Sequence, residues 1–369
     1  MIRLNVPFTD QRELEEIAAV LSTGYLTQGP KTAQFERLIA DYLGCKYAFA
    51  MSSCTTALHL SLVILNVQEG DEVLVPDFTF PATANVVVQL GATPILVDID
   101  LDTYTLNVQD LRKKITSRTR AIIPVHTFGC SADMDPVLKI AQDNRIPIIE
   151  DAACAIGTTY HGRFCGAMGD LGCFSFHPRK VITTGEGGMI TTNNPALAER
   201  IQLLRNHGGV RADNRYEYQE AGFNYRLSDI QGAMGVAQME KLPTLIERKR
   251  LLAYKLKEKL TEVPGIRTPA EPSWGGHIYQ SFVILVDENL DRDQIILGLH
   301  KRNIETTLGT YALHEQPFFQ KKYGYVSGQL PSSQTAFLKS ITLPLYPQMS
   351  EADLDTITLG LCEVISAIK

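Results

Sequence analysis

Lys180 closes the run Asp170-Leu171-Gly172-Cys173-Phe174-Ser175-Phe176-His177-Pro178-Arg179-Lys180. Leu171 to Phe176 is apolar enough to predict a buried strand. Pro178 stops regular structure behind it. Lys180 therefore falls just past a strand end, where open α/β sheets hold their ligands. If protonated and near the amine, His177 or Arg179 would lower the lysine pKa by like-charge repulsion. A lysine tuned in that way is a nucleophile that forms imines with aldehydes and ketones. The ordinary alternative is a solvated surface lysine. A phosphate loop is excluded by order, since Lys180 precedes Gly185, Gly187 and Gly188 and no Gly-Lys-Ser/Thr follows.

Two further groups give the lysine a context. The apolar run Ile146-Pro147-Ile148-Ile149 predicts a strand, with Glu150-Asp151 at its C-terminal end. Ser52-Ser53-Cys54-Thr55-Thr56 opens a predicted helix, and hydroxyls there cap free N–H groups or bind phosphate. Ser175 lies just before the lysine. A carboxylate, an amine and a phosphate-binding helix start suit a cofactor with a protonatable ring nitrogen, an aldehyde and a phosphate, which describes pyridoxal phosphate. Asp151 is equally readable as a helix cap, and Phe80, after the strand Asp71 to Pro76, as core. No metal-ligating cluster is among the candidates.

The elements that must position these groups alternate. Strands are expected at Tyr47 to Met51, Asp71 to Pro76, Pro94 to Val97, Ala121 to Val125, Ile146 to Ile149, Leu171 to Phe176 and Met189 to Thr192, with helices between most of them. That pattern predicts right-handed crossovers and a mostly parallel sheet. His207 to Gly222 reads as a polar loop. Ser228 to Met239 and Leu245 to Leu260 read as two helices, the second a bridge into a smaller α+β domain. Domains of 1–245 and 246–369 are expected, with the extreme N-terminus packing on the smaller one. Ile278 to Val286 alternates as a strand, and Ser350 to Ile368 as a helix.

The composition excludes several function classes. The 369 residues carry a net charge of −6 and no outstanding Lys/Arg run, so nucleic acid and anionic membranes are not expected partners. Seven cysteines without a Cys-x-x-Cys fit reduced thiols in a cytoplasmic protein. No apolar run reaches membrane-spanning length.

The ordered motifs resemble the DegT/DnrJ/EryC1/StrS family of sugar aminotransferases. They include Gly29-Pro30, Ser52-Ser53-Cys54-Thr55-Thr56-Ala57-Leu58-His59, Gly70-Asp71-Glu72-Val73 and Ala132-Asp133-Met134-Asp135. Glu150-Asp151-Ala152-Ala153, Phe174-Ser175-Phe176-His177, Thr183-Thr184-Gly185-Glu186-Gly187-Gly188 and Asn224-Tyr225-Arg226 follow, with His314, Gln316 and Pro317 in the second domain. The resemblance implies the aspartate-aminotransferase fold, a doubly wound α/β large domain with a small C-terminal domain, and a homodimer with shared active sites. It implies transfer of an amino group, from L-glutamate, to a nucleotide-linked keto-sugar, through an internal aldimine at Lys180 and pyridoxamine phosphate. By motif position it makes Asp151 the partner of the ring nitrogen and Phe80 the stacked aromatic. Thr55, Thr56 and Ser175 become phosphate ligands, and Asn224 reaches the neighbouring subunit's phosphate. Arg226 and His314 become substrate contacts. Cys154 stands near the cofactor's phenolic oxygen, where many relatives carry His or Gln. Related proteins that act as sugar dehydratases carry His at the lysine position. A regulatory member without turnover is the other alternative, and the complete set Lys180, Asp151, Ser175 and Asn224 argues against it.

Overall fold

The computed structural model describes residues 1–213 and 215–368. Three parallel strands, in the order Thr93–Val97, Glu72–Pro76, Thr119–Ile122, form one part of the central sheet. Ile149–Asp151, Leu171–Ser175, Gly188–Thr192 and Tyr47–Met51, in that order, form the other. Parallel bridges Ile122 to Ile148 and Val125 to Asp151 join the parts. Gly188–Thr192 runs against both of its neighbours. Alternate strand residues face two apolar layers. Phe49, Val73, Cys173 and Ile190 meet the layer of Leu58, Leu62, Val86 and Ile201. Ala50, Phe174 and Met189 meet Phe35, Ile39, Val236 and Leu242 on the other side. Helices on both faces are what a mostly parallel sheet requires.

Three expectations change. The helices expected at Ser228 to Met239 and Leu245 to Leu260 are one helix, Asp229–Leu260, running through Pro243. Ser228 and Gln231 cap its start, and its flank packs on Pro30–Leu43 and Gln11–Thr23, which offsets the hydrogen bond a proline removes. The segment read as a polar loop holds an antiparallel hairpin, Gly209–Ala212 with Arg215–Tyr218. The strand expected from Ile278 starts only at Phe282, because Tyr279 takes a left-handed φ of 51°.

A second sheet, ordered Ile266–Arg267, Phe282–Val286, Ser340–Leu343, Thr307–Leu308, has its own core. That core packs the far half of the long helix against Arg292–Lys301 and Glu351–Ile368. Ile2 bridges Ile304, so the N-terminus lies on this second body. One excursion returns to the first body: Tyr311–Ala312 pairs with Phe78–Thr79. No helix among the described residues is long and apolar enough to cross a membrane.

Lys249 sits where the two bodies meet. It is 1% exposed, and its Nζ donates to the carbonyls of Gln280 (3.2 Å) and Leu345 (2.8 Å). Burial, opposed by Cys154, pushes its amine down to about 7. An unfolded lysine keeps its proton to about pH 10, so above about pH 7 the unfolded chain binds more protons. Stability from this group therefore rises between those values, by at most about 1.4 kcal/mol per pH unit. Lys249→Met removes this dependence. Denaturant unfolding followed from pH 7 towards pH 10 should show wild type gaining a few kcal/mol relative to the variant. A difference that stays flat with pH would refute the titration.

Candidate active site

Asp151 ends its strand as a 4% exposed carboxylate. Oδ2 accepts from the Thr83 hydroxyl at 2.8 Å, and Oδ1 from the Ala153 N–H at 3.1 Å. Among the described residues no cation lies at ion-pair distance. Burial holds its carboxyl above the usual range; Thr83, Ala153 and Lys180 offset part of that. Thr83 lies in the first turn of the helix Ala82–Gln89, and its N–H bonds the carbonyl of Phe80. The Phe80 side chain is exposed, at 67% for the residue, although the residues before it, Phe78 and Thr79, are buried. An aromatic face thus stands open one helical turn from the carboxylate's partner.

Lys180 follows its strand as expected and is half-buried. Its loop is held at both sides: Asn5 donates to the Pro178 carbonyl at 3.1 Å, and Gln280 to the Arg179 carbonyl at 2.5 Å. Nζ lies 3.0 Å from the Cys154 sulfur. Burial works to lower the amine, but Cys154, Cys54 and Asp151 outweigh it and hold Lys180 above the usual lysine value. The repulsion expected from His177 and Arg179 does not prevail. Burial keeps His177 below its ordinary value and so uncharged near neutrality, and Arg179 is exposed.

The hydroxyl groups converge through one glycine. Gly188 pairs with Ser175 across the sheet, and a Cβ on it would overlap the Ser53 carbonyl. The strand end with Ser175 and the start of the helix Cys54–Ile64 are thereby brought together. Thr55 is half-buried, and among the described residues its hydroxyl has no hydrogen-bond partner, nor do the N–H groups of Cys54 and Thr55. Thr56 is committed to a capping box: its N–H donates to the Ser53 hydroxyl, and its own hydroxyl to the Ser53 carbonyl. Asn224 is exposed, on a segment whose Tyr225 carbonyl accepts from Ser52 N–H. Arg226 donates to the Asn206 side chain.

His314 is not at the open surface. It is fully buried, with Nδ1 2.6 Å from Asp77 Oδ2 and its N–H on Asp77 Oδ1 at 2.7 Å. Burial lowers the imidazole, yet Asp77 outweighs it and raises the ring above its ordinary value. His126 likewise bonds the buried Glu150 at 2.9 Å. Thr83, Asp77 and Gln280 are the residues that sequence reasoning missed. Only Thr83 carried a signal, a hydroxyl in the first turn after Phe80-Pro81.

The profile of the DegT/DnrJ/EryC1/StrS aminotransferase family matches residues 7–361. GDP-perosamine synthase of Caulobacter vibrioides is 38% identical over 370 residues, covering 99% of this chain and 98% of that one. PseC of Helicobacter pylori, an aminotransferase of pseudoaminic acid biosynthesis, superposes with a TM-score of 0.95 at 26% identity, covering 99% of each chain. A Streptococcus pneumoniae structure in PLP-form gives a TM-score of 0.95 at 28% identity, covering 100% of this chain and 99% of that one.

The donors present fit pyridoxal phosphate. A buried carboxylate without a cation accepts a protonated ring nitrogen, and free N–H groups at a helix start accept a phosphate. Thr83→Val keeps the shape and removes the hydroxyl from Asp151. A charge-assisted hydrogen bond is worth roughly 1.5–3 kcal/mol, so the cofactor's dissociation constant should rise about tenfold or more, with Thr83→Ser near wild type. An absorbance titration with pyridoxal phosphate measures it; equal affinity for Thr83→Val would remove Thr83 from the site.

Proposed function

This chain belongs to the DegT/DnrJ/EryC1/StrS aminotransferase family and is a pyridoxal-phosphate-dependent sugar aminotransferase, and on that premise we propose that it moves the amino group of L-glutamate to a nucleotide-linked keto-sugar. The observation that carries the reading is the pairing of a half-buried Lys180 with a buried, cation-free Asp151 at neighbouring strand ends. The name of the Caulobacter relative, a GDP-perosamine synthase, supports a nucleotide on the sugar.

The bound cofactor supplies an aldehyde for amines and an electron-poor ring that stabilises negative charge beside nitrogen. Asp151 keeps the ring nitrogen cationic, and Thr83 aims its carboxylate. Lys180 Nζ would be the amine that holds the cofactor through its aldehyde. Once free, it takes the α-proton from the amino donor and returns a proton to the sugar carbon that becomes C–N. A base tethered at the reacting carbon gains its rate from proximity. Thr55, Ser175 and the N–H groups of Cys54 and Thr55 would hold the phosphate, and the exposed Phe80 would supply an aromatic face to the ring. Thr56 contributes chiefly by fixing the helix start through its capping box. Asn224, exposed and far along the chain, completes the site of a second subunit in a homodimer. Arg226 keeps donors beyond the one on Asn206 for the sugar nucleotide. His314 acts from behind, through Asp77, and does not touch the substrate.

Borohydride treatment with pyridoxal phosphate should attach the cofactor to the peptide containing Lys180; attachment at another lysine overturns the assignment. A panel of nucleotide-linked keto-sugars offered with glutamate, scored by product mass, identifies the acceptor. Asp151→Asn should still take up the borohydride label. Its single-turnover conversion by glutamate should fall by orders of magnitude, since several kcal/mol of transition-state stabilisation vanish at about 1.4 kcal/mol per tenfold. Conversion near the wild-type rate would reduce Asp151 to a strand-end cap.

A further inference from the structure

Cys154 stands apart from the other thiols. Cys45, Cys54, Cys130, Cys165 and Cys173 are buried, and burial pushes each thiol up, to about 11 for Cys45 and about 12 for Cys130. Such thiols are inert. Cys154 and Cys362 are only half-buried. Of these, Cys154 has an amine against it, with Lys180 Nζ at 3.0 Å from its sulfur. A half-buried sulfur beside a cationic amine is the setting in which cysteines are oxidised.

We propose that a peroxide oxidant joins Cys154 to Lys180 through a reversible sulfur–nitrogen bond, so that the two side chains form a redox lock on the catalytic amine. The sulfur attacks the peroxide, the O–O bond breaks, and Cys154 loses two electrons to become a sulfenic acid while one water leaves. Lys180 Nζ, as the neutral amine, then attacks the sulfur. The S–O bond breaks, the amine gives up a proton, and a second water leaves. The net loss from the protein is two hydrogens for one peroxide reduced. An added thiol reverses it by attacking the sulfur, freeing the amine, and a second thiol releases Cys154.

The fold prepares this contact. Asn5 and Gln280 fix the loop that carries Lys180, and Ala155 N–H on the Ala152 carbonyl tightens the turn that carries Cys154. The first oxidation also helps the second step. Cys154 is foremost among the groups that keep the proton on Lys180, and a neutral sulfenic acid no longer attracts it. A lysine already bound to the cofactor has no free amine to offer, so the lock is a property of the chain while Lys180 is unoccupied.

The consequence for activity rests on the aminotransferase reading, but the bond needs only the two side chains. Full-length chain dialysed free of cofactor, and the holoenzyme in parallel, are treated with hydrogen peroxide and mapped by peptide mass. The expected product in the cofactor-free arm is a linked Cys154–Lys180 peptide pair lighter by two hydrogens and split by dithiothreitol. Pyridoxal phosphate should protect against it. Cys154→Ser should abolish it and Cys362→Ser should leave it intact. Sulfinic or sulfonic acid at Cys154 with a free Lys180 peptide, or an unmodified Cys154, overturns the proposal. Borohydride labelling of untreated protein tests the aminotransferase reading separately.

Discussion

A buried carboxylate without a cation is the constraint that the site is built around. Asp151 cannot cheaply hold its charge at 4% exposure with only a hydroxyl and one N–H as partners. The surrounding fold therefore holds a group that calls for positive charge at one place, the end of a central strand. Strand pairing fixes that place tightly: Asp151 pairs with Val125 on one side, its N–H donating to the Pro124 carbonyl and its carbonyl accepting from His126 N–H, and lies opposite Cys173 on the other in parallel register. Neither neighbour can shift without moving the sheet, so the carboxylate is pre-organised in the sense that catalysis requires.

The second body secures the same corner from outside. Asp77 follows the strand Glu72–Pro76, and both of its oxygens are taken by His314, one by the ring and one by the main chain. Burial raises the Asp77 carboxyl while Asp77 raises the His314 ring, so each group holds a proton more tightly than it would in water. Its Phe78–Thr79 neighbours pair with Tyr311–Ala312. The stretch that presents Phe80, and one turn later Thr83, is thus clamped by residues more than 230 positions away. The substrate contact expected at His314 is replaced by this role. A buried imidazole between Asp77 and Glu315 is shaped for holding the two bodies together.

What was legible in the sequence was the part written in local chemistry. Apolar runs, Pro178 and the hydroxyl-rich helix start located Lys180, Ser175, Thr55 and Asp151, because strand ends and helix starts are set by near neighbours. What escaped depends on contacts across long separations. Nothing near Thr83 in the chain announces Asp151, and nothing near Asp77 announces His314. The break at Tyr279 escaped because alternation continues through Ile278 while the backbone turns left-handed to place Gln280 on the Lys180 loop. The split expected between Met239 and Leu245 failed in the opposite direction: packing along both flanks keeps the helix continuous through Pro243, where propensity would end it.

The direction of the lysine shift shows why charge is hardest to read from sequence. His177 and Arg179 are adjacent to Lys180 in the chain, and both are positive when charged. The three groups that prevail, Cys154, Cys54 and Asp151, come from two other segments and favour the ammonium form. A resting lysine that holds its proton is a poor nucleophile, yet the same arrangement contains its remedy. Any cation that Asp151 pairs with cancels one of those three influences and lets burial act on the amine unopposed by it. The carboxylate thus couples two events at a distance: filling the cation-hungry pocket and freeing the base beside it. Filling the pocket thus frees an amine that the empty, unoxidised site keeps protonated.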